Sequence, residues 1–128
     1  AWQIVEIVKE SQHLQKNMKQ YLSDAASPVG KDYLRLRGHV FKTLRLFRRI
    51  DALAAGEERT GLMEKLRIHT ETLETFRGRV MVKLRNHELN GWQTSSLLND
   101  INYARRIGRG ILEILTLREM NQAEDDPL

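Results

Sequence analysis

Apolar residues recur at intervals of three and four in four long stretches, the spacing that lays one stripe along an α-helix. In the first stretch the stripe is Ile4, Ile7, Ser11, Leu14, Met18, Tyr21 and Ala25. Ser27-Pro28-Val29-Gly30 should end it, because proline lacks the N–H that a helical bond needs and glycine frees the turn. Asp32 is expected to cap a second helix whose inner face reads Tyr33, Leu36, Val40, Leu44, Phe47, Ile50 and Ala54, with Gly56 as its C-cap. The third stripe is Leu62, Leu66, His69, Leu73, Phe76, Val80, Leu84 and His87, stopped by Asn90-Gly91. The fourth places Leu97, Ile101, Ala104, Gly108, Ile111 and Leu115 on one face, with Thr94 or Ser95 as its cap unless Trp92 is already helical. No alternating strand pattern competes with this reading. Long helices on short connections favour antiparallel neighbours. The predicted fold is all-α: an antiparallel, up-and-down four-helix bundle over residues 1–118, followed by an acidic tail at 119–128.

Two details bear on how the helices meet. Gly38, Gly78, Gly108 and Gly110 lie inside helical stretches, where each costs about 1 kcal/mol against alanine. Close approach of helix backbones is the expected reason. A weak repeat at an offset of 57 residues sets Leu46-Phe47-Arg48-Arg49-Ile50 on Tyr103-Ala104-Arg105-Arg106-Ile107, which would relate helices two and four.

Composition narrows the class. A chain of 128 residues, 41% hydrophobic and 30% charged, suits one domain with a true core. The absence of cysteine excludes disulfides, thiolate metal sites and thiol catalysis. No apolar run approaches the ~20 residues that span a bilayer, and nothing resembles a signal peptide. The chain opens without Met in what reads as mid-helix, so a domain excised from a longer protein is expected. The net charge of +4 is uneven: Glu119, Glu124, Asp125 and Asp126 fall in the last ten residues, and the remainder carries +8. Tyr33 to Ile50 holds six basic residues and no acid. Such a surface implies an anionic partner.

Candidate chemistry is sparse. A di-iron bundle needs Glu-x-x-His on two helices, and Glu10-Ser11-Gln12-His13 is the only instance. His69 and His87 sit about 27 Å apart along one helix, too far to share a ligand. No nucleophile elbow, phosphate-cradling glycine loop or His-Glu-x-x-His is present. Pairs such as Glu71/Glu74 and Glu57/Glu58 fall on polar faces. The expectation is a protein that is not an enzyme and has neither metal nor cofactor. The arginines are the informative set. Arg105 and Arg109 share a face at i, i+4, and the repeat would bring Arg48 and Arg49 to a similar height. Guanidinium groups so clustered can clamp an oxyanion or an acidic partner. Otherwise they are solvated and salt-bridged to Asp51, Asp100 and Glu113.

The stretch Tyr103-Ala104-Arg105-Arg106-Ile107-Gly108-Arg109-Gly110-Ile111-Leu112-Glu113-Ile114 resembles the signature helix of PhoU proteins, roughly Y-L-E-R-I-G-D-x-x-x-N-I. Tyr103, Arg106, Ile107, Gly108 and Ile114 match directly. Arg79-Val80-Met81 through Ser95-Ser96-Leu97-Leu98-Asn99-Asp100 resembles the helix and turn leading into it. Leu36 to Leu53 resembles the corresponding helix of the PhoU-like domains at the C-terminal end of bacterial sodium/phosphate cotransporters. The similarity spans about residues 33–117. In PhoU proteins the two acids of the signature contribute to multinuclear metal clusters. Those positions are Arg105 and Arg109 here, and in the helix-two copy Arg48 and Ala52, with Asp51 one residue off. Guanidinium groups repel cations, so no metal cluster is expected.

The resemblance implies a non-catalytic regulatory domain on the cytoplasmic side of the inner membrane, the soluble part of a membrane protein. It would act through protein–protein contacts with the transmembrane portion of the same transporter or with a phosphate-signalling protein. Arg48, Arg49, Arg105 and Arg109 are its expected anion- or partner-binding residues. The alternative is a free-standing basic bundle that binds nucleic acid or anionic lipid. Nucleic acid is disfavoured by the lack of helix-turn-helix spacing and of stacking aromatics. A homodimer through the helix-one seam is a third reading.

Overall fold

The computed structural model describes residues 2–22 and 27–125, with side chains over 4–20 and 27–121. Four helices make up nearly all of it: α1 (Trp2–Leu22), α2 (Pro28–Asp51), α3 (Glu57–Arg85) and α4 (Gly91–Asp125). No strand occurs among the described residues. α1 packs on α2 and α4, α3 packs on α2 and α4, and α2 meets α4 across the diagonal. Direction follows from the pairs that bridge the helices. Asn17–Asp100 and Glu10–Arg106 run antiparallel between α1 and α4. Asp32–Lys83 and His39–His69 do so between α2 and α3, and Arg59–Glu119 and Arg105–Glu74 between α3 and α4. Tyr33–Asp100 and Asp51–Arg118 run parallel between α2 and α4. The bundle is therefore up-down-up-down.

Several helix ends differ from expectation. Ser27-Pro28 starts α2 rather than stopping α1. The Ser27 side chain accepts the Gly30 N–H at 3.1 Å, and Pro28 occupies the first turn, where a missing N–H costs nothing. Asp32 thus lies inside α2, buried, with Lys83 donating to both its oxygens at 2.7 and 2.9 Å. α2 ends at Asp51 with Ala52 as C-cap, so Gly56 does not close it; in extended backbone, it precedes α3 instead. α3 stops at Arg85, before Asn90-Gly91, and His87 leaves the helix with φ 59. Asn90 begins the next helix: its Oδ1 accepts the Gln93 N–H at 2.8 Å while Gln93 Oε1 accepts the Asn90 N–H at 3.2 Å. Trp92 is helical and Thr94 is buried within the helix. At the far end, residues 119–125 of the expected tail continue α4, and 126–128 lie outside the described residues.

The core is formed by Tyr33, Leu36 and Ile50 of α2, Leu62, Leu66, Leu73 and Val80 of α3, and the whole expected seam of α4. α1 contributes Leu14 and Met18. Ile4, Ser11 and Leu44, assigned to inner faces, are exposed, as is Ala54; the Tyr21 side chain and Ala25 fall outside the described residues. Two glycines meet a neighbouring helix. The space of a Cβ at Gly108 is taken by Thr70, and that at Gly110 by Ile7. Gly38 and Gly78 have nothing within 4 Å, so close approach does not explain them.

Candidate functional site

The four expected arginines do not converge. Level partners on α2 and α4 are 67 residues apart, as Tyr33–Asp100 and Asp51–Arg118 both show, whereas the repeat required 57. Ten residues of helix are about 15 Å. Arg48 and Arg49 are exposed near the end of α2 and form no ion pair with a described residue. Arg105, half-buried on α4, reaches α3 and pairs with Glu74 at 2.6 Å. Arg109 lines a third place, the groove between α1 and α4. Their anticipated carboxylate partners are otherwise engaged or elsewhere. Asp51 is held by Arg118, and Asp100 is buried.

The α1–α4 groove, of about 430 Å³, mixes both signs: Glu6, Glu10 and Glu113 face Arg106 and Arg109. Arg106 Nη1 donates to Glu10 Oε1 at 3.1 Å, and Glu10 Oε2 is buried without a donor among the described residues. His13, the other member of the lone Glu-x-x-His, stacks on Tyr103 at 5.2 Å. Among the described residues, no three His, Asp or Glu side chains form a set able to hold a metal ion.

A second groove, of about 520 Å³, opens between α1 and α2. Leu14, Met18 and Ile107 form its buried apolar base. Phe41 and Leu44, 50% and 42% exposed, stand along it with Lys19 and Arg37. The Arg37 guanidinium lies 5.1 Å over the Phe41 ring, which holds the charge at the groove edge. Sequence reading missed this surface because Leu44 fits the inner stripe by spacing. The available signal was a second stripe on α2, Leu34, Arg37, Phe41, Leu44 and Arg48, at the same three-and-four spacing.

The third groove, between α2 and α3, is about 240 Å³ and carries Arg35, His39, Thr75 and Arg79 among its lining. Beneath it two imidazoles stack with centroids 3.8 Å apart. Nε2 of His39 donates to the His69 carbonyl, and Nε2 of His69 to the His39 carbonyl, each at 2.9 Å. A carbonyl only accepts, so each ring carries its proton on Nε2. Nδ1 of His39 is then an acceptor, buried with no donor among the described residues. Burial chiefly lowers the His39 pKa to about 4, with His69 and Lys42 adding repulsion. His69 is also lowered, mainly by burial. The pair is neutral at physiological pH.

A buried polar network ties α1, α2 and α4 at one level. Tyr33 OH donates to Asp100, Asn17 Nδ2 donates to the other Asp100 oxygen at 2.7 Å, and Ser96 Oγ lies 3.1 Å from the Tyr33 hydroxyl. Burial raises the Asp100 pKa against the opposing pull of the Tyr33 and Asn17 hydrogen bonds. With each carboxylate oxygen satisfied, this cluster is a fastening between helices.

No described helix is long and apolar enough to cross a membrane. The chain matches no known protein family, no curated protein and no solved structure.

Proposed function

We propose that this chain is a non-catalytic, PhoU-like regulatory domain of a sodium/phosphate cotransporter, acting on phosphate uptake through protein–protein contacts from the cytoplasmic side of the inner membrane. The observation that carries the reading is the α1–α2 groove: an apolar base between two antiparallel helices, edged by Lys19 and Arg37, is shaped for a partner helix with acidic flanks. Support for the transporter comes from the similarity of Tyr103–Ile114 and Leu36–Leu53 to PhoU-like domains. Where that signature has metal-binding acids, Arg105 and Arg109 stand, which favours contact over metal chemistry.

The test is co-sedimentation of the chain with inside-out vesicles that contain, or lack, the membrane portion of a sodium/phosphate cotransporter. Binding should need the transporter and be lost in Phe41→Asp and Leu44→Asp, whose side chains are exposed enough for the bundle to stay folded. Equal binding to plain vesicles would sink the proposal.

A second reading is favoured by one observation, the run of six exposed cations without an acid from Tyr33 to Ile50. Under it the chain is a free-standing basic bundle on nucleic acid or anionic lipid. Affinity for DNA would then fall with salt at a slope of about −0.9 per phosphate contacted.

A further inference from the structure

Three grooves carry a pair of cations each, where a fourth has Arg77 alone, and what surrounds each pair decides which can hold a small anion. In the α1–α4 groove, Arg106 and Arg109 already face Glu6, Glu10 and Glu113. In the α1–α2 groove the walls are mainly apolar, and Arg37 lies over Phe41. The α2–α3 groove differs from both. Arg35 comes from α2 and Arg79 from α3, and neither has an ion pair or hydrogen bond with a described residue. No carboxylate lines it. The acids of α3 nearest in sequence are occupied elsewhere: Glu64 and Glu71 hold Arg67, and Glu74 holds Arg105, while Glu57 and Glu58 lie in the first turn of the helix. Thr72 spends its hydroxyl proton on the His69 carbonyl at 2.6 Å, whereas the Thr75 hydroxyl has no described partner and remains a donor.

We propose that the α2–α3 groove is an oxyanion site, in which the Arg35 and Arg79 guanidinium groups and the Thr75 hydroxyl take a phosphate-type dianion. Two guanidinium groups from opposite walls supply planar paired donors of the kind that suits tetrahedral oxyanions. The Leu73 and Phe76 side chains exclude water from one side of the groove and strengthen those contacts. The site rests on no part of the regulatory reading, since it needs only this chain. It uses none of Arg48, Arg49, Arg105 and Arg109.

The site has a built-in reporter. His39 lines the same groove, with a bare Nδ1. The groups facing it are His69 and Arg79 from α3, and Arg35 and Lys42 from its own helix; no charged group of α1 or α4 acts on it. Burial, with His69 and Lys42, opposes its protonation. A dianion bound between the arginines opposes that local field, so occupancy favours the imidazolium, and by reciprocity acid pH favours occupancy by an anion whose own charge stays constant.

Calorimetry with inorganic phosphate at low ionic strength is the first experiment. Binding should weaken about ten-fold or more in Arg35→Gln and in Arg79→Gln, each loss being that of one charge-assisted contact. Lys16→Gln, an exposed change on α1, should leave it intact. A second arm uses phosphatidate against phosphatidylcholine vesicles. Vesicle binding that depends on Arg35 and Arg79 without binding of free phosphate assigns the same site to a lipid headgroup. The third arm follows the His39 C2 proton by NMR with saturating sulfate, whose charge is constant through the acid range. Its pKa should rise from about 4 in chloride, and the rise should vanish in Arg35→Gln/Arg79→Gln. Binding of neither probe, or binding indifferent to both arginines, overturns the proposal; so does a His39 titration that sulfate leaves unmoved.

Discussion

Alanine in place of glycine should have opposite effects at two positions of this bundle. In a helix interior the change alone favours alanine by about 1 kcal/mol. At Gly78 a new Cβ would have nothing within 4 Å, so Gly78→Ala should stabilise by about that amount. At Gly108 the Cβ would stand 2.8 Å from Thr70 Oγ1 and 2.9 Å from Thr70 Cγ2. Both branches of the threonine are in the way, so exchanging them by a χ1 turn leaves an obstruction. Thr70 is buried, and its hydroxyl donates to the Leu66 carbonyl at 2.9 Å, so pushing it aside also strains that bond. Overpacking costs about 1–3 kcal/mol and the weakened hydrogen bond about 1 more. Against the helical gain, Gly108→Ala should destabilise by about 1–3 kcal/mol.

Urea unfolding of the single variants, Thr70→Ala and the double variant closes a cycle. Removing both obstructing atoms makes room for the methyl group, so Thr70→Ala should relieve Gly108→Ala with a coupling of about 2 kcal/mol. If Gly108→Ala stabilises as much as Gly78→Ala, and the cycle shows no coupling, α3 and α4 do not approach as described. The reasoning about their register then fails.

Three other outcomes are expected. His39 is held neutral, so the folded chain binds fewer protons than the unfolded chain between pH 6.5 and about 4, and His69 is shifted in the same direction by burial. Their contribution is complete above that window and declines as pH falls through it, by about 1–2 kcal/mol once solvent screening in the open groove is allowed for. Urea midpoints against pH in chloride should show this slope, and His39→Gln should flatten it; an equal slope in both proteins refutes the assignment. Arg59→Met should cost about 3 kcal/mol, because the buried guanidinium donates to the Ile50, Leu53 and Leu115 carbonyls and pairs with Glu119. Thermal melting reads it, and an unchanged Tm would remove Arg59 from the fastening of that end. Arg105→Glu with Arg109→Asp, which places acids where the PhoU signature has them, should add weak zinc or ferric binding by calorimetry, and a flat titration counts against that expectation.

The helix count and most of the core were legible because periodicity is a property of each helix alone. α4 was read most completely: Leu97, Ile101, Ala104, Gly108, Ile111 and Leu115 are all buried. α1 was read worst, as Ile4 and Ser11 fit the spacing yet remain exposed. Spacing marks a face but not whether a neighbour reaches it. The ends were misread where one motif serves two purposes. Ser27-Pro28 reads as a stop to the preceding helix but caps and starts α2, and Asn90 likewise reads as a stop but caps α4. Trp92, 78% exposed, gave no periodic warning at all.

Sites between helices depend on register, which periodicity does not contain. Sliding one helix along another by whole turns leaves every stripe intact and changes every partner. Here register rests on few, specific contacts: Tyr33 to Asp100, Asp32 to Lys83 and Thr70 into the gap at Gly108. These contacts set α2 against α4 at a separation of 67 residues, which parts Arg48 from Arg105. They equally bring Arg35 beside Arg79 across α2 and α3, though the two are far apart in the chain and on different helices. The basic surface was visible from charge alone. Which cations lack a carboxylate was not, because Glu74 turns to Arg105 only once the helices are aligned. An anion needs unpaired cations that register brings together across one groove, which Arg35 and Arg79 provide and Arg48 and Arg49, side by side on one helix, do not.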